Sequence, residues 1–139
     1  MKVIVDTNIL VSAVLKGRKP REILQFISEH SDIDWIVSQE ILAEYREVLN
    51  RRKLKLTDEV KQEWLDKIET IPKVIEVNVT VDFARDAKDA KFIGLARVTE
   101  ADFLITGDRD FEEMIELKQT VIISVSLFYD LFIGEGEYE

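Results

Sequence analysis

The sequence predicts an α/β domain: a three-layer α/β/α sandwich with a central parallel sheet. Two observations predict it. Short apolar runs of strand length alternate with longer segments of helical period, and those runs are apolar throughout rather than at every second residue. Strands of that kind bury both faces, which calls for helices on each side. At 139 residues and 46% apolar content, the chain is expected to form one domain whose core needs no disulfides. No internal repeat or low-complexity linker divides it. The expected limits are 1–133 for the domain and 134–139 for an acidic C-terminal tail.

In chain order, Val3 to Val5 reads as a short buried strand and Thr7 to Leu15 as the helix after it. The loop Lys16-Gly17-Arg18-Lys19-Pro20 precedes a second helix from Arg21 to Glu29, with Pro20 suited to its first turn. Ile33 to Val37 is an expected strand. Ser38 is placed to cap a helix running to Asn50, and Thr57 to cap another running to Thr70. Val74 to Val81 alternates like a strand. Lys88 to Val98 is helical by period, Phe103 to Thr106 a strand, and Phe111 to Leu117 a short helix. A strand from Val121 to Ile123 and a helix from Ser126 to Phe132 complete the series.

Composition narrows the chemistry. The chain has no cysteine, a single histidine (His30), no Gly-x-Ser-x-Gly pattern and no phosphate-loop glycine pattern, so carboxylates are the main catalytic groups left. Hard oxygen ligands of this kind suit Mg²⁺ or Mn²⁺. The net charge, 19 − 28 = −9, argues against a broad cationic nucleic-acid surface. Converging carboxylates on divalent ions would offset part of that charge. Asp6 interrupts the first apolar stretch before a signal-peptide core or membrane span can form, and with the lack of cysteine this gives a cytoplasmic expectation.

Several acidic positions are candidates, each with an ordinary structural alternative. Asp6 and Asp108 follow predicted strands at the carboxyl end, where open parallel sheets bind ligands, although Asp6 also fits a helix N-cap. Glu44 lies about 100° from the centre of the apolar face of its helix, against about 140° for Glu40 and 160° for Glu47, which makes it the acid nearest the interior or a border glutamate. Asp89 lies only about 40° from the centre of the face formed by Phe92, Ile93, Leu95 and Ala96. An inward carboxylate there either caps backbone amides or faces a cation. Thr106-Gly107-Asp108-Arg109-Asp110 supplies a hydroxyl and two carboxylates, or a polar turn; Asp86 reads as a loop cap or a group behind the site. The run Arg46, Arg51, Arg52, Lys53, Lys55 reads as a solvated helix end or as a phosphate track. Asp102 is expected to be structural, His30 to be a surface or packing residue, and Trp35 and Trp64 to pack in the core.

Together these residues resemble the PIN-domain nucleases, in particular the VapC-like toxin components of toxin–antitoxin systems. The resemblance rests on Val5-Asp6-Thr7-Asn8, the Ser38 to Arg51 segment with Glu44 and Tyr45, Asp86-Ala-Lys-Asp-Ala-Lys-Phe92, and Ala101-Asp102-Phe-Leu-Ile-Thr-Gly-Asp-Arg-Asp110. It covers nearly the whole chain. It implies a PIN-like fold and an acidic quartet of Asp6, Glu44, Asp89 and Asp108 holding one or two Mg²⁺ or Mn²⁺ ions, with Asp110 auxiliary. Ala90 departs from the pattern, standing where many relatives carry a second polar or acidic residue. The implied activity is hydrolysis of RNA, single-stranded by expectation, with Asn8, Thr106 and Arg46 as candidate contacts to a ligand carboxylate or phosphate. The resemblance also implies a cognate antitoxin and a homodimer. The competing expectation is a non-catalytic PIN-fold module that binds RNA or protein. A metal-dependent phosphatase is weaker still, since Thr7-Asn8-Ile9 after Asp6 lacks the Asp-x-Asp nucleophile pattern.

Overall fold

The β-branched run Val3-Ile4-Val5 is fully buried and forms most of the central strand β1 (Lys2–Val5). In the computed structural model, which describes residues 1–78, 87–107, 117 and 119–134, β1 pairs in parallel with β2 (Asp34–Val37) on one side and β4 (Phe103–Ile105) on the other. β3 (Lys73–Val74) adds outside β2, and β5 (Val121–Ile123) outside β4, giving the order β3-β2-β1-β4-β5. Register is fixed by apolar pairs: Val3 lies opposite both Trp35 and Phe103, and Val5 opposite Ile105, which in turn faces Ile123.

Around the sheet lie α1 (Thr7–Val14), α2 (Arg18–Glu29), α3 (Gln39–Leu49), α4 (Asp58–Thr70), α5 (Ala87–Thr99) and α6 (Val125–Phe132). The connections from β1 to β2 and from β2 to β3 step toward the same edge. Right-handed crossovers therefore place α1 to α4 on one face, in keeping with the packing of α1 on α2 and α3 and of α3 on α4. The step to β4 runs the other way across β1, so the same rule assigns α5 to the opposite face. The predicted caps form: Ser38 Oγ accepts from the Ile41 N–H at 3.2 Å, and Thr57 Oγ1 from the Val60 N–H at 3.2 Å. The three-layer parallel architecture is thus the one the sequence predicts. No helix among the described residues is long and apolar enough to cross a membrane.

Three elements depart from expectation. α2 starts at Arg18, a turn early, because Gly17 takes the capping position and sends its N–H to Ser12 O at 2.7 Å. A Cβ at Gly17 would sit 2.6 Å from that oxygen, so no side chain fits. Pro20 remains in the first turn, where an N–H has no helical partner to lose. β3 covers Lys73 and Val74, and of the strand expected from Val74 to Val81, residues 79–81 lie outside the described residues: Ile75 and Val77 keep the alternate burial of a strand, but among the described residues the ladder ends after the Ile75 N–H bond to Val37 O. α6 begins at Val125, where Ser124 Oγ accepts from the Leu127 N–H at 3.1 Å. The expected helix over 111–117 falls, except for Leu117, outside the described residues, as does the tail from 135 onward.

Candidate active site

β1 and β4 are neighbours, and the order of strands reverses direction between them. In open parallel sheets, ligands bind in the crevice past the carboxyl ends at such a reversal. Asp6 follows β1 and Thr106 follows β4. Both backbones are held by the sheet: the Asp6 N–H donates to Ile105 O at 3.0 Å, and the Thr106 N–H to Ile123 O at 3.0 Å. Their side chains meet, the Thr106 hydroxyl donating to Asp6 Oδ2 at 2.8 Å. Both are buried, Asp6 at 7% and Thr106 at 4% exposure.

Asp6 occupies the N-cap position of α1 with extended backbone, yet its carboxylate makes no capping hydrogen bond. The capping alternative is therefore not the one its side chain takes. A buried carboxylate that accepts from a neighbouring strand is held in a fixed orientation, at an electrostatic cost.

Glu44 ties three helices together. Its Oε2 accepts from the Thr7 hydroxyl on α1, and its Oε1 lies 3.1 Å from Lys91 Nζ on α5. The side chains of Lys91 and Glu44 are 14% and 25% exposed. Glu40 and Glu47 are exposed, in agreement with their phase on α3. Next along, the fully buried Tyr45 donates its hydroxyl to Val5 O, fastening α3 to the end of β1, and its ring lies 5.9 Å from that of Trp35. Asp89, in the first turn of α5, is buried at 8% exposure beside Phe92, Ile93, Leu95 and Ala96, as its phase predicts.

Burial pushes the Tyr45 phenol far above its ordinary range. The Trp35 indole acts the other way, but its buried N–H meets no acceptor in hydrogen-bond geometry. The charges of Asp6 and Glu44 add to the upward shift. With the folded-state pKa raised, the neutral phenol's contribution is complete below about pH 10 and is lost as pH rises beyond the unfolded value. Tyr45→Phe is expected to cost about 1–3 kcal/mol at neutral pH, because the Val5 carbonyl loses its side-chain donor. The same variant should remove about 1.4 kcal/mol of the alkaline fall in stability between pH 9 and 11, read from urea titrations across that range.

The remaining candidates are placed less centrally. Asn8 is exposed on the first turn of α1. Arg46 is not brought to the cluster: its guanidinium pairs with Glu69 on α4, Nη2 lying 3.0 Å from Oε2, which raises the pKa of Arg46 and lowers that of Glu69. Two residues along a helix is about 200° of rotation, so Arg46 points away from Glu44. Arg51 pairs with Glu47 one turn back at 2.9 Å, and Arg52 to Leu54 forms a 3-10 turn, so these residues form a solvated helix end. Asp102 is structural: its Oδ2 accepts from the Lys2 N–H at 2.8 Å. Asp86, Asp108 and Asp110 lie outside the described residues. Among the described residues, no three acidic side chains stand close enough together to hold a metal ion. In kind, the donors fit a hard divalent cation, since Asp6, Glu44 and Asp89 offer carboxylate oxygens only.

Sequence reasoning gave no role to Thr7 or Lys91, and none at the site to Tyr45. A signal for Lys91 existed. It lies about 120° from the apolar centre of α5, as Glu44 lies about 100° from that of α3, so each is a border residue. Although they flank opposite faces of the sheet, the two helices meet at this pair, which brings opposite charges together. Beside this pair opens a cleft of about 600 Å³ between the start of α3, the segment after β3 and α5.

A family model described as PIN domain matches residues 2–110. The chain belongs to the PIN-domain family. Among solved structures, it is similar to a chain in the crystal structure of VapBC2 from Rickettsia felis bound to a DNA fragment from their promoter. Identity is 17%, with 89% of this chain and 98% of that one covered and a TM-score of 0.62; at that identity the likeness is one of fold. No curated protein matches the sequence.

Proposed function

We propose that this chain is a divalent-metal-dependent ribonuclease, the toxin of a toxin–antitoxin pair. The observation that supports it most is the Asp6 carboxylate, buried at the reversal point of a PIN-family sheet, withheld from helix capping and held by Thr106. Asp6, Asp89 and Asp108 would hold one or two Mg²⁺ or Mn²⁺ ions, with Glu44 as a further ligand or as acceptor for the attacking water and Asp110 as an auxiliary acid. An ion held by these carboxylates would supply Lewis-acid polarisation of a phosphoryl oxygen and a more nucleophilic water at neutral pH.

The chain's own residues do the positioning. Thr106 holds Asp6 through Oδ2, and Thr7 and Lys91 hold the two oxygens of Glu44. With the only histidine at position 30, paired to Phe26 O at the end of α2, proton transfer falls to carboxylates and water. RNA, single-stranded, is the proposed substrate. The likeness to VapBC2 supports an antitoxin as partner, and homodimerisation and a cytoplasmic setting belong to the same proposal.

The test is a panel of labelled single-stranded RNA, duplex RNA and single-stranded DNA incubated with Mg²⁺, Mn²⁺ or chelator. Cutting of single-stranded RNA is expected with either ion, lost in chelator and in Asp89→Asn. A folded protein that cuts none of the three in either metal would instead favour a binding module.

A further inference from the structure

The cleft beside Glu44 is an unfavourable place for a phosphate chain, except at one point. Its described walls carry Glu40 and Glu76, the whole protein bears a net charge of −9, and Lys91 is the one basic residue among the described lining residues. Lys91 is also the residue that joins the cleft to the acidic cluster, its Nζ standing 3.1 Å from Glu44 Oε1 with the side chain only 14% exposed. The ammonium is therefore held at the boundary between the carboxylates and the cleft. Polar groups for sugar and base edges lie on the same walls, in Ser38, Gln39 and Asn78.

We propose that Lys91 binds a phosphate of the RNA strand lying in this cleft, one contact away from the carboxylates, so that the strand enters between α3 and α5. The inference rests on the ribonuclease reading above. Lys91 keeps its contact with Glu44 through one donor and offers another to a non-bridging phosphate oxygen; an ammonium has three. Local positive charge at this point offsets the repulsion from an acidic surface, which a phosphate chain would otherwise meet along the whole cleft.

The experiment measures binding of a fluorescein-labelled single-stranded oligoribonucleotide by anisotropy in Mg²⁺, from 50 to 300 mM KCl, in an Asp6→Asn background that leaves the probe uncut. Adding Lys91→Met should reduce the slope of log Kd against log salt by about 0.7, one phosphate contact on a single strand, and Lys91→Arg should restore it. In the otherwise native enzyme, Lys91→Met should raise KM about tenfold and Lys91→Arg should restore it, whatever share of kcat is lost through Glu44. A purely structural role, acting through Glu44, would shift Mn²⁺ affinity by calorimetry and leave the salt slope unchanged; that result overturns the proposal. Because Lys91→Met leaves Glu44 without its cation, Lys91→Met/Glu44→Gln is measured beside it, and a slope equal to that of Glu44→Gln alone also overturns it. If the wild type cuts no RNA in the panel above, the ribonuclease reading fails and the Lys91 contact with it; if it cuts but the Asp6→Asn parent binds none, an unchanged KM in Lys91→Met removes Lys91 alone. Wild-type-like slopes in a parent that does bind remove Lys91 alone.

Discussion

Asp6→Asn is expected to lower RNA cleavage by more than about 100-fold while leaving the fold at least as stable as before. Removing a group that merely supports a metal ligand already costs about 10–100-fold, and Asp6 is assigned as a ligand itself. The substitution keeps the shape of the side chain. The amide oxygen can still accept from the Thr106 hydroxyl, now 2.8 Å from Oδ2, so the link between β1 and β4 survives. What disappears is one buried negative charge from a protein of net charge −9, close to Glu44 and Tyr45. Without metal, that charge is repelled by its neighbours, so the melting temperature in chelator should hold or rise. Adding Mg²⁺ should then raise the melting temperature of the wild type and not of Asp6→Asn, because a ligand stabilises only the state that binds it. Cleavage retained in the variant would end the assignment of Asp6. A melting temperature several degrees lower in chelator would show that the carboxylate is structural.

Phe128→Ala carries the largest expected stability loss, about 3–5 kcal/mol, out of a total that for a domain of this kind is about 5–15 kcal/mol. Phe128 is fully buried on α6, its ring 5.8 Å from Phe103 on β4 and 4.6 Å from Phe132. Through it α6 is pressed onto the sheet, and the helix also packs on α2. The loss corresponds to a fall of roughly 10–20 °C in melting temperature. Leu131, on the same helix, is 48% exposed, and its replacement by Ala should stay within about 0.5 kcal/mol. Denaturation in urea separates the two. A loss below about 1 kcal/mol in Phe128→Ala would mean that α6 lies outside the cooperative core.

What is legible in the sequence follows from period. Asp89 and Glu44 are placed by phase alone, because the helix repeat is fixed and their apolar neighbours are numerous. Asp6 is placed by the strand before it, but its use is ambiguous: Asp at a helix start is both a capping residue and a metal ligand, and only the direction of the carboxylate decides. Thr7 and Lys91 are opaque for another reason. Their partner is Glu44, 37 and 47 positions away in sequence, and such a meeting depends on how α1, α3 and α5 pack. β3 shows the opposite failure. Its alternation is real in burial, yet the neighbouring strand β2 ends at Val37, so the ladder has nothing to pair with beyond the first residues.

The bond from the Thr106 N–H to Ile123 O has a bearing on when the site comes into being during synthesis. Thr106 orients Asp6, which precedes it in the chain, but Thr106 is itself held by β5, which is made later than either. Domains fold as the chain emerges, N-terminal parts first. Here a carboxylate beside the first strand of the sheet waits on the fifth. A nascent chain that has exposed β1 to β4 but not β5 still lacks the strand that fixes Thr106 and through it Asp6, so under the proposed activity a ribosome-bound fragment should be inert toward the RNA that surrounds it until β5 has emerged.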